Sequence, residues 1–73
     1  MTPTEAHAKR IEFLRMARNA EMADDIATGS WYRIFAQNFE LIASDDPVKR
    51  ERGFAMLKKN SDRFERRAET RVA

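Results

Sequence analysis

Cysteine is absent from the chain, which removes disulfide staples, thiolate chemistry and the usual ligands of a zinc knuckle. A secreted domain of this size ordinarily leans on disulfides, so their lack favours the cytoplasm. Glycine and proline number two each, so little in 73 residues interrupts regular structure. No apolar run approaches the roughly 20 residues of a membrane span. The amino terminus, Met1-Thr2-Pro3-Thr4-Glu5, is polar and does not read as a signal peptide. The single histidine, His7, has Arg10 and Ile11 at its helical neighbours, so it lacks a second metal ligand and reads as a surface side chain.

What is present is helical. Strand-type alternation is missing, and apolar residues recur at helical spacing from end to end. Thr2, Pro3 and Glu5 supply an N-cap, a first-position proline and a capping box. The first helix then carries Ala6, Phe13, Leu14, Ala17 and Ala20 on one arc. It is expected to bend or break within 18–23 and to stop no later than Gly29. Glu5 is spaced to pair with Lys9. Ser30 reads as the cap of a second helix, in which Trp31, Tyr32, Ile34, Phe35, Phe39, Leu41 and Ile42 cover more than half the circumference. A helix this apolar needs cover on two sides, which places it at the centre.

Asp45-Asp46-Pro47 signals the start of a third helix. Its stripe, Phe54, Leu57, Ser61, Phe64 and Ala68, keeps a 3-4-3-4 rhythm that Arg50 and Arg71 extend. Asn60-Ser61-Asp62 can either continue that helix or cap a short fourth one. The expected fold is therefore all-α: one domain over 1–73, a compact three-helix or four-helix bundle with a central apolar helix and a basic C-terminal helix. Residues 47–72, if continuous, would span about 39 Å against about half that for the central helix, so part of the basic end should overhang.

Catalytic patterns are not found. The carboxylate pairs Asp24-Asp25 and Asp45-Asp46 point about 100° apart on a helix and make neither an acid/base pair nor a magnesium cage alone. There is no glycine-rich phosphate loop, and a pocket of a few hundred cubic ångströms would consume most of so small a core. The expectation is no enzyme, no cofactor and no metal site.

Charge carries more information. The net charge is +2, but residues 47–73 hold nine basic and four acidic side chains. Lys58, Lys59, Arg63, Arg66, Arg67 and Arg71 are the candidate contact residues, with Tyr32 as the apolar centre of a docking patch. Glu51, Asp62, Glu65 and Glu69 interrupt the basic run in sequence, and Asp62 is spaced to pair with Arg66. Three readings of this segment stand: a solvated face, a surface for an acidic protein, or a surface for nucleic acid. A helix-turn-helix over Ala23–Phe35 fits poorly. With Ala23 in the small-residue position the turn falls on Ala27, and Trp31 and Tyr32 stand where a recognition helix shows polar residues.

In size, helix content and lack of catalytic residues the chain resembles the small host-takeover proteins made by bacteriophages, among them inhibitors that bind bacterial RNA polymerase. The resemblance covers the whole chain as general character and rests on no motif, so it transfers no functional residue. It implies a non-enzymatic regulator that binds a larger protein, with RNA polymerase as the specific partner. A nucleic-acid-binding module and a structural helical subunit are the alternatives. A homodimer fits the thin core of a chain this short, and no membrane partner is expected.

Overall fold

A computed structural model describes the backbone of residues 1–72 and the side chains of residues 1–67. Three helices follow in order: α1 (Pro3–Met22), α2 (Ile26–Ile42) and α3 (Pro47–Val72). No strand is present among the described residues. The all-α three-helix bundle with α2 at the centre is the observed architecture, and α3 is continuous through Asn60-Ser61-Asp62.

The helix ends show which local signals prevailed. The Thr2 hydroxyl accepts from the Glu5 N–H at 3.2 Å, and Glu5 Oε1 accepts from the Thr2 N–H at 3.0 Å, so the capping box forms as the sequence predicts. That engagement takes Glu5 away from Lys9, whose ammonium instead lies 3.4 Å from Glu12. The first turn of the chain arrives earlier than Gly29. Asp24 adopts φ 62°, in the left-handed region. The Asp24 N–H donates to the Glu21 carbonyl and the Asp25 N–H to that of Ala20, which together make a Schellman closure. Asp25 then caps α2, its carboxylate accepting from the Thr28 N–H at 3.2 Å and the Thr28 hydroxyl at 2.7 Å. Ser30 is therefore not the cap, and Gly29 lies inside α2.

Gly29 serves packing. A Cβ there would stand 2.8 Å from Glu21 Cγ and 3.2 Å from the Ala17 carbonyl oxygen, so its absence lets α1 and α2 approach. The second turn holds to expectation: the Asp46 carboxylate accepts from the Val48 N–H at 2.9 Å, with Pro47 at the first helical position. The Arg50 guanidinium closes this turn by donating to the Ser44 and Asp45 carbonyls.

α2 packs against α1 on one side and α3 on the other, while no Cα of α1 comes within 8 Å of α3 among the described residues. The outer helices are joined chiefly through α2, in a globule of 39 × 24 × 14 Å. Phe35, only 6% exposed, joins the two sides. Its ring lies 5.4 Å from Phe13 of α1 and 5.7 Å from Phe64 of α3, centroid to centroid. Phe39 stacks on Phe13 and forms a buried cluster with Ala6 and Ile42, against which Leu57 packs. The register of α3 is antiparallel: Gly53 meets Leu41 and Ile42, Asn60 meets Asn38, and Phe64 meets Phe35 and Trp31. Because Gly53 already lies at the last turn of α2, residues 47–52 account for part of the excess length. The overhang expected at the basic end is thus shared with the start of the helix.

Candidate interaction surface

Continuity of α3 fixes where its charges point. At 3.6 residues per turn, the acids Glu51, Asp62 and Glu65 fall within an arc of roughly 60°, and Lys58 stands among them. The bases Arg52, Lys59, Arg63 and Arg66 share a second arc of similar width, centred about 100° away, with Lys49 and Arg67 at its margin. Side chains that alternate in sign along the sequence are therefore sorted in space. The basic arc is exposed. Lys49, Arg52, Lys59 and Arg63 make no ion pair or hydrogen bond among the described residues. Met56, 40% exposed, sits at the margin of the same arc and gives it an apolar spot.

The seven residues singled out from the sequence divide on this geometry. Lys59, Arg63 and Arg66 lie together on the basic arc. Arg67 is half-buried at its margin, with its guanidinium carbon 6.0 Å from the centroid of the Phe64 ring. Lys58 belongs to the acidic flank. The Arg71 side chain lies outside the described residues. Tyr32 is half-buried, its ring 5.9 Å from Phe13 and 6.3 Å from Phe64. Tyr32 thus packs beside the aromatic core and shares the Phe64 ring with Arg67. Arg52, Lys49 and Met56, which join this arc or its margin at the spacing 49, 52, 56, 59, 63, are not among the seven.

Elsewhere, charges are used locally. Arg33 of α2 clamps Glu21 of α1 bidentately, with Nη2–Oε1 at 2.6 Å and Nε–Oε2 at 3.1 Å. The hydrogen bond from Arg33 holds the Glu21 carboxyl below its ordinary value and raises the guanidinium in return. The Thr2 backbone N–H and then its hydroxyl do the same for Glu5. One polar pair is internal: Asn60 Nδ2 donates to Asn38 Oδ1 at 3.0 Å, and Asn38 Nδ2, fully buried, has no partner. His7 is exposed. Among the described residues there is no cavity and no group of three side chains that would hold a metal ion, and no helix is long and apolar enough to cross a membrane. Comparison with protein-family models, curated proteins and solved structures finds no match.

Proposed function

We propose that this protein is a non-enzymatic regulator that works by docking the basic arc of α3 onto an acidic surface of a larger protein. The observation that carries the reading is the sorting of charge on α3. Arg52, Lys59 and Arg63 form an exposed row with Met56 beside them and no described acid on the same arc. Such a row speeds encounter with an acidic partner and orients it, while an apolar spot adds affinity that salt does not screen. General resemblance to phage host-takeover proteins makes bacterial RNA polymerase the first partner to test, in the cytoplasm of a host cell.

The test measures binding of the full chain to purified RNA polymerase holoenzyme, alongside the Arg63→Glu/Arg66→Glu/Arg67→Glu variant. Saturable binding that persists at 0.5 M salt and is lost in the variant, with its helical circular dichroism intact, supports the reading. Binding that is unchanged in the variant places the docking face elsewhere. Affinity for duplex DNA that exceeds affinity for the polymerase, and falls steeply with salt, supports a nucleic-acid module instead.

A further inference from the structure

The two seams of α2 are built differently. Toward α1, buried Ala17 and Gly29 let the backbones approach, Phe13 lies against Phe35 and Phe39, and the Arg33–Glu21 clamp closes the edge. Toward α3 the hold is weaker. Gly53 is the one buried residue of α3 among those described. Beyond it Leu57, Asn60 and Phe64 meet the rest of the bundle, and each keeps part of its surface in solvent. The ion pairs among the described residues, Lys9–Glu12 and Arg33–Glu21, do not reach α3.

Midway along this second seam lies Asn38, 1% exposed and, with Ile42, the largest of the fully buried side chains. Its Oδ1 accepts from Asn60 Nδ2 at 3.0 Å, and its own Nδ2, buried, donates to nothing. A buried donor without a partner favours any state in which water reaches it, by about tenfold. That penalty falls on the closed seam alone. When α3 leaves α2, both asparagines gain water, while the contacts of Phe13 with Phe35 and Phe39 are kept. The same pair has a second effect. A lone polar pair in an apolar helix contact fixes register, because any slip would bury both amides unpaired.

We infer that α3 is a detachable arm: beyond Gly53 it comes away from α2 as a unit while α1 and α2 stay packed, and it recloses in one register through Asn38 and Asn60. Opening uncovers a strip of α2 made by Trp31, Phe35, Asn38 and Ile42, which follow one another at helical spacing. The basic arc travels with the arm, and the inference does not depend on what that arc binds. Once detached, α3 has lost the packing that holds it helical, since isolated helices are marginal in water. Its amides then exchange with solvent.

Native-state hydrogen exchange of the full chain, read amide by amide by NMR without denaturant, tests the proposal. The slowest amides of residues 55–66 should be at least about tenfold less protected than the slowest of α1 and α2, and should open together. Asn38→Leu/Asn60→Leu removes the unpaired amide and should raise the protection of α3 several-fold or more. Ala17→Gly weakens α1 through helix propensity. It should speed exchange in α1 several-fold and leave that of α3 unchanged. Equal protection of all three helices in the unaltered chain overturns the inference, because the bundle then opens only as a whole. So does an Ala17→Gly variant in which α3 speeds up as much as α1. A double leucine variant that is helical by circular dichroism but no better protected in α3 overturns it equally. Should that variant not fold, the unaltered chain and Ala17→Gly decide.

Discussion

Replacing Gly53 by alanine should destabilise the protein, although the same change in an isolated helix does the opposite. Helix propensity alone favours alanine by about 1 kcal/mol. Against this, a Cβ at position 53 would stand 2.9 Å from each of Ile42 Cγ1, the Ile42 backbone nitrogen and Leu41 Cβ. The last two are fixed by the backbone of α2 and cannot swing aside, so α3 must move outward. Overpacking of this kind costs about 1–3 kcal/mol. The movement also stretches the 3.0 Å Asn60–Asn38 bond and loosens Phe64 from Trp31. The net expectation is a loss of up to about 2 kcal/mol, and at about 4–8 °C per kcal/mol a lower Tm. Thermal unfolding followed by circular dichroism measures the loss, and Trp31 fluorescence reports the α2–α3 contact itself. A Gly53→Ala variant with a raised Tm would refute the packing of α3 on α2 described here.

Three further expectations rest on single contacts. Asp25→Ala should cost about 0.5–2 kcal/mol in urea unfolding, since it removes the cap of α2, while Ser30→Ala should change little because Ser30 caps nothing. Asn60→Ala should cost about 1–3 kcal/mol by leaving the buried Asn38 amide wholly unpaired, and in a double-mutant cycle Asn38→Leu should recover part of the loss. The carboxyls of Glu5 and Glu21 sit below their ordinary value of 4.5. Their contribution to stability is therefore full above about pH 5 and falls away as pH drops through the lowered folded-state values. Urea midpoints should accordingly be flat from pH 7 to about 5 and decline below that, with Glu21→Gln flattening the decline.

What could be read from the sequence was what is decided locally. The Thr2 capping box and the Asp46-Pro47 start need only neighbours within four residues, and both form as expected. The central place of α2 follows from an apolar surface too wide for one partner. The end of α1 falls in the expected window, 18–23, but the start of α2 was misplaced for a reason of range. Gly29 and Ser30 look like punctuation, yet Gly29 is small because Glu21 and Ala17, eight and twelve residues earlier, press on it. The turn itself is made by Asp24, which tolerates the left-handed conformation well enough to replace glycine. The candidate surface was half legible. Arg63 and Arg66 were found by type, but the separation of Glu51, Asp62 and Glu65 from the bases appears only when α3 is known to be unbroken. The half-burial of Tyr32 was not legible because its partners, Phe13 and Phe64, lie on other helices.

The central claim concerns sidedness: the basic arc of α3, and not its acidic flank, docks on the acidic partner. It is tested most directly by matched charge reversals, Lys59→Glu/Arg63→Glu against Glu51→Lys/Asp62→Lys, with binding to RNA polymerase measured at one salt concentration. The account predicts that the first pair abolishes binding and the second leaves it intact or tighter. Equal loss from both, or loss from the second alone, would contradict it.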